Sequence, residues 1–348
     1  TTINYVRGDL MMKKALTLAM VLALGVTASA YAANAAEPIK ISGEVRAHYG
    51  DSDVGLCHSI LRTRINLQGQ FNENWSLTAR LQNEANLVGD SSDEDTEFKL
   101  AYVSGKLGGV KFDAGRQSIM LNKGNIIDGI FDGVKATYGE EVKLTVYAGS
   151  SLDIDIQEPQ YKGFFSQDDA TEIFVFDAAT KLGATDVYAT YYNADLDYRK
   201  EIFNIGAGAE IAQDLVLNAE YAYGESSDKK HRLSNHGWNA GLAYKGAKER
   251  EVGTWGVSFN YFDIPASTYI YSTNSQYSNY FIAWAEDPEW EPYNNDPKAN
   301  KDGYKGFEIA ANYTLAKNLV ATVRYFDLTT RREDLSDQAI WSEVVYRF

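Results

Sequence analysis

Along almost its whole length this chain alternates apolar and polar residues one by one. In "PIKISGEVRAHYG", Ile39, Ile41, Val45 and Tyr49 alternate with Lys40, Ser42, Glu44, Arg46 and His48. In "ILRTRINLQGQF", Leu61, Ile65, Leu67 and Phe71 alternate with Arg62, Arg64, Asn66, Gln68 and Gln70, and "WGVSFNYF" and "GFEIAANYTL" repeat the pattern. A period of two places successive side chains on opposite faces of an extended strand, so each segment predicts a strand with one apolar and one polar face. The pattern persists to the end of the chain. In "WSEVVYRF", Val344, Tyr346 and Phe348 share one parity, and Glu343, Val345 and Arg347 the other. A chain end in water frays; this one is patterned as a strand that pairs.

A water-soluble sandwich also alternates, and the connections separate the two cases. "NENW", "GKLGGV", "GEEV", "LGATD", "IAQDL" and "LAKNL" read as tight turns. Between them lie longer polar loops at 50–57, 88–95, 117–130, 151–170, 194–199, 225–235, 265–302 and 328–336. Tight turns at one end and long loops at the other are the arrangement of a membrane β-barrel, with periplasmic turns and external loops. The pattern predicts an all-β fold, a transmembrane antiparallel β-barrel of about sixteen strands, the fifth over 110–117 and the sixth over 131–139. An even count returns both termini to one side, and sixteen strands leave an aqueous lumen. The last strand must then pair with the first, because an open edge in lipid leaves backbone groups unsatisfied. Val344, Tyr346 and Phe348 are expected to face lipid, with Phe348 in the aromatic girdle.

The N-terminal part is not read as fold. Residues 1–10 look like an upstream mis-start. Residues 11–35, "MMKKALTLAMVLALGVTASAYAANA", carry two lysines, a short apolar run and small-residue cleavage sites after Ala30, Ala32 or Ala35, which predicts a secretory signal peptide. Residues 36–348 are assigned to the barrel, and the expected location is the cell outer membrane. The single cysteine, Cys57, rules out an internal disulfide framework. A net charge of −15 with no basic stripe argues against nucleic acid. Four histidines, His48, His58, His231 and His236, and no G-x-S-x-G signature give no support for an enzyme. His231 and His236 lack companion ligands for a metal, and no cofactor is expected. The acidic external stretch "GDSSDEDTE", with Asp90, Asp93, Glu94, Asp95 and Glu97, reads as a solvated loop facing lipopolysaccharide and bridged by divalent cations.

The polar parity of the first strands holds Arg46, Arg62, Arg64 and Arg80. On neighbouring strands these guanidiniums form one patch of the lumen wall, where a narrow low-dielectric passage focuses their field. Next comes "VKFDAGRQSIMLNKGNIIDGIFDGVKATYG". This stretch and the aromatic terminal signature resemble the general-diffusion porins of Gram-negative outer membranes. The resemblance implies a third external loop folded into the barrel, with carboxylates facing wall arginines across a constriction. Carried over, Arg116 would join the arginine wall and Asp128 would be the loop carboxylate, with Asp132 at the edge of the sixth strand. Strict alternation from Phe112 and Ala114 turns Arg116 outward, so it must lie past the strand end or on a bulge. The resemblance also implies a homotrimer, lipid and lipopolysaccharide as surroundings, and recognition of Val344, Tyr346 and Phe348 by the barrel-assembly machinery. Gly43, Ala47 and Ala114 on the lipid face offer close packing between subunits. The function that follows is passive diffusion of small hydrophilic solutes and ions. The alternatives are a substrate-specific channel, for which Tyr188 and Tyr192 face inward, and a structural or adhesive barrel acting through its long loops.

Overall fold

A computed structural model describes residues 39–52, 57–87, 95–151, 171–195, 199–226, 234–269, 303–331 and 336–348. Residues 1–38, with the segment predicted as a signal peptide, His231, the loop residues Asp90, Asp93 and Glu94, and segment 270–302 lie outside the described residues.

Sixteen strands close into one antiparallel barrel, each paired with its neighbours in sequence and β1 paired with β16. They are β1 (Lys40–Ser52), β2 (Cys57–Asn72), β3 (Trp75–Asn86), β4 (Asp95–Leu107), β5 (Val110–Leu121), β6 (Ile127–Tyr138), β7 (Val142–Ser151) and β8 (Thr171–Leu182). The second half comprises β9 (Thr185–Asp195), β10 (Arg199–Ala212), β11 (Leu215–Ser226), β12 (His236–Lys245), β13 (Trp255–Ile264), β14 (Tyr304–Ala316), β15 (Leu319–Thr330) and β16 (Ser336–Arg347). Closure leaves no edge, the condition for a sheet in lipid. No helix among the described residues is long and apolar enough to cross a membrane.

The alternation sorts the two faces. Phe174, Phe176, Phe203, Ile205, Leu217, Phe259, Ile309 and Val344 are large, apolar and exposed on the outside. At the short-turn end this belt carries paired rings, Trp75 on Phe112, Tyr244 on Trp255 and Tyr346 on Phe348. Rings with an apolar body and a polar surround suit a membrane interface.

The seam is closed by register. Val45 faces Tyr346 and Ala47 faces Val344 across β1 and β16. Gly43 N–H donates to the Phe348 carbonyl at 2.9 Å, and Phe348 N–H donates to the Gly43 carbonyl at 3.0 Å. A Cβ at Gly43 would stand 2.6 Å from the Phe348 ring. The missing side chain of Gly43 is thus a seat for the chain's own terminal ring, which corrects its reading as a free subunit-packing position.

The largest departure from the alternation lies between β5 and β6. The expected loop at 117–130 is mostly strand. β5 continues to Leu121, β6 starts at Ile127, and a 3-10 turn at Asn122–Gly124 joins them. The pair leaves the wall: the last β4–β5 partners are Ala101 and Arg116, and the last β6–β7 partners are Phe131 and Ser151. Beyond those points β5 and β6 pair only with each other. The third external connection therefore folds inward as a β-hairpin, which keeps its own backbone groups bonded. The bend is at Gly115, whose φ of 125° and close approach to the Ala101 carbonyl exclude any side chain. Gln117 donates to the Asp113 and Gly133 carbonyls beside this bend.

Candidate functional site: a constriction between an arginine wall and an inward hairpin

One face of the hairpin is apolar. Ile119, Leu121, Ile126, Ile127 and Phe131 pack with Tyr147, Ile173, Val175, Tyr192, Ala194 and Ile202, which line the inner face of β7–β10. Fully burying a branched apolar side chain contributes about 1.5–3 kcal/mol, so this face holds the hairpin down. The tip adds polar anchors far around the barrel. Thr190 donates to Asn122 Oδ1 at 2.7 Å, Asn125 donates to Glu220 Oε2 at 3.0 Å, and Lys123 donates to Asn218. Each such bond contributes about 0.5–1.5 kcal/mol net, less than the apolar face. Tyr192 is buried in the apolar cluster, and Tyr188 donates to Glu220.

The opposite face of the hairpin looks across the lumen. Ser118, Met120, Asp128 and Ile130 bound a cavity of about 510 Å³ whose far wall is β1–β3 with β15 and β16. Its lining includes Arg46, Arg62, Arg64 and Arg80 together with Lys99, Arg324 and Arg347, seven cationic side chains against the carboxylates of Glu44, Asp128 and Glu343. Four of the sequence-derived arginines and Asp128 are thus brought to one cavity, the arginines on the wall and Asp128 on the hairpin.

The wall is ordered by register. Arg46 stands opposite Arg62, and Glu44 opposite Arg64. Glu44 Oε1 accepts from Arg62 at 2.7 Å and lies 3.4 Å from Arg64. Arg64 Nε donates to Gln82 Oε1 at 2.5 Å, Arg80 Nε donates to Asn66 Oδ1 at 2.7 Å, and Arg46 lies 3.7 Å from Glu343. Like charges opposite one another on a ladder repel, so Glu44 is the counter-charge that lets the cluster form. Glu44, Glu343, Arg324 and Arg347 carry the inward parity of their strands. That signal was legible, but only closure puts β15 and β16 beside β1.

Arg116 is a correction. It does not line the cavity. It lies within β5, keeps outward parity with Phe112 and Ala114, and pairs with its cross-strand partner Asp132 at 2.9 and 3.0 Å. The strand neither ends nor bulges there; the hairpin peels away from β4, and the ion pair marks its root. His48, on the same inward parity as Arg46, is buried and stacks on Trp341 with centroids 4.3 Å apart. A second segment enters the lumen after β13. Ala266–Thr268 form a 3-10 turn, and Lys200 Nζ donates to the Ala266 carbonyl at 2.7 Å and to the Tyr269 carbonyl.

No family model matches the chain, and no curated protein matches it in sequence. Solved structures do match its fold. OmpF of Salmonella typhi, solved with daunomycin, superposes with a TM-score of 0.59 at 13% identity, covering 89% of this chain and 97% of that one. A loop-deletion variant of OmpT, an outer membrane protein of Vibrio cholerae, gives 0.58 at 12% identity over 90% of this chain and 100% of its own. A variant of the Rh. blastica porin gives 0.56 at 13% identity over 89% of this chain and 100% of its own. At such identities the likeness concerns architecture. The closed sixteen-stranded antiparallel barrel is the porin-type fold of Gram-negative outer membranes.

Proposed function

We propose that the chain is an outer-membrane channel that passes small hydrophilic solutes and ions by passive diffusion, with a constriction that favours anions. It acts as a conduit and not as an enzyme. The observation that carries this reading is the cavity between hairpin and wall, lined by seven cations and three carboxylates. The whole chain carries −15, so a mean-field view would favour cations. Exposed charges are screened over about 8–10 Å at physiological salt, whereas charges in a confined low-dielectric passage are screened less. The narrow point therefore outweighs the loops.

The decisive measurement is planar-bilayer conductance with reversal potentials under a salt gradient. Replacing Arg62, Arg64 and Arg80 by glutamine should shift permeability toward cations by about tenfold, since three charges act together at short range, and the shift should persist at molar salt. An absence of channels in the pure protein would defeat the reading, as would unchanged reversal potentials in the triple variant.

The surroundings belong to the same proposal: export by the signal peptide at 11–35, a homotrimer, lipopolysaccharide with divalent cations at the acidic loop, and recognition of Val344, Tyr346 and Phe348 by the barrel-assembly machinery. Removing Phe348 should reduce insertion strongly. Gly43→Val keeps the terminal residue but fills the seat of its ring, so surface levels of the two variants separate recognition from seam packing.

A further inference from the structure

The connection between β12 and β13 differs from the other short-end turns. It runs through Gly246–Thr254, and it is folded on itself and against the next strands. Thr254 Oγ1 donates to the Glu251 carbonyl at 2.7 Å, and Ala247 N–H donates to Asn312 Oδ1 at 2.6 Å. Gly253 N–H donates to the Thr314 carbonyl at 2.9 Å, and Thr314, fully buried, donates to the Lys248 carbonyl. The turn then reaches past β14. Asn318 N–H, in the β14–β15 turn, donates to the Glu249 carbonyl at 2.6 Å, and the Asn318 carbonyl accepts from Arg347 N–H at 3.0 Å.

This backbone bracing delivers one carboxylate to a residue of the constriction cavity. Glu249 pairs with Arg347 Nη1. Arg347 lines the constriction cavity, and its Nε lies 3.5 Å from Glu44 Oε2. Glu44 is the same carboxylate that holds Arg62 and Arg64. Glu249, Arg347, Glu44 and the arginine wall therefore form one continuous chain of alternating charge, which starts on a turn and ends at the constriction. Arg347 shares two carboxylates, and Glu44 shares three guanidiniums. Removing Glu249 leaves Arg347 to Glu44 alone and adds one uncompensated positive charge at the short-turn end of the passage.

We propose that Glu249 is a selectivity-setting residue that acts through Arg347, lowering the anion preference of the channel at its short-turn exit. The proposal rests on the channel reading above, and it assigns the β12–β13 turn a part in permeation. Glu249 positions and neutralises Arg347; Arg347 is the residue that faces the permeating ion.

The test is a double-mutant cycle in reversal potential, on full-length protein in planar bilayers at low salt. Glu249→Gln should raise the anion-over-cation permeability ratio about twofold, the effect of one charge at short range in a water-like dielectric. Arg347→Gln should lower the ratio. In the Arg347→Gln background Glu249→Gln should then change nothing. At molar salt, with a screening length near 3 Å, the Glu249 effect should shrink. Glu249→Ala removes the same charge independently, and a heat-shifted gel band checks that each barrel is folded. Equal shifts in both backgrounds would overturn the proposal, because Glu249 would then act as a plain surface charge. No shift in either background would overturn it as well. The arginine triple variant reads the channel proposal separately: a shift there with a flat Glu249 cycle defeats only the present inference.

Discussion

The two inner walls that the β5–β6 hairpin faces are built from opposite materials. Toward β7–β10 the lumen is apolar, with Ile173, Val175, Tyr192 and Ile202 buried under the hairpin. Toward β1–β3 and β16 it is crowded with guanidiniums and stays open as a cavity of about 510 Å³. Both walls carry inward parity on strands of the same kind, so strand pattern alone does not distinguish them. The difference shows that an aqueous lumen need not be uniformly polar. One side is covered by the chain itself and can be dry; the other is covered by water and must be charged. The hairpin reads the same way, with Ile119 and Ile127 facing the dry side and Ser118 and Asp128 the wet one.

The comparison breaks hardest if the dry side is wetted. Ile119→Asp with Ile127→Asp places two carboxylates where an unpaired charge costs several kcal/mol. The hairpin should leave the wall, and single-channel conductance should rise severalfold toward that of an open barrel. Unchanged conductance with intact barrels would mean that the apolar cluster does not hold the hairpin.

A smaller effect belongs to the wet side. Asp128→Asn removes the one hairpin carboxylate that faces the arginines. Anion preference should rise about twofold with little change in conductance. An unchanged permeability ratio would place Asp128 outside the ion path.

The tip anchors should matter less than the apolar face. Asn122→Ala with Asn125→Ala removes hydrogen bonds to Thr190 and Glu220, a loss of about 1–3 kcal/mol together. Open-channel current noise should increase while mean conductance stays within a fraction of the parent value. A conductance jump as large as that of the aspartate pair would invert the ranking of the two faces. Smallest of all is the loop effect. Neutralising Asp90, Asp93, Glu94 and Asp95 should alter selectivity at low salt and leave it unchanged at molar salt, where screening falls to about 3 Å.

Most of the barrel was legible because its signal is local. Each strand announces its own faces, and turns such as the one before Trp75 announce hairpins within a few residues. The hairpin ends were not legible in the same way. Residues 117–130 contain polar and apolar positions in mixed order, because both of their faces are inside the barrel. A rule that sends one parity to lipid fails there, and it mistook strand for loop. Arg116 was misplaced for a related reason. The Phe112–Arg116 pattern reports the bend at Gly115, and the arginine beside it serves the root of the hairpin by pairing with Asp132.

Sequence by itself determined the sheet, the strand number, the inward parity of Arg46, Arg62, Arg64 and Arg80, and the need for a terminal strand that pairs. These follow from a two-residue period and from the cost of unsatisfied backbone groups in lipid, and both act over neighbouring residues. Only the tertiary structure decided which inward residues meet. It brought Arg347 and Glu343 to the arginine wall by closing β16 on β1, aimed Asp128 across the lumen, buried Ile119 against β8, and ran Glu249 to Arg347 across nearly a hundred residues. Such contacts depend on closure and on the path of one hairpin, and a periodic pattern carries no record of either.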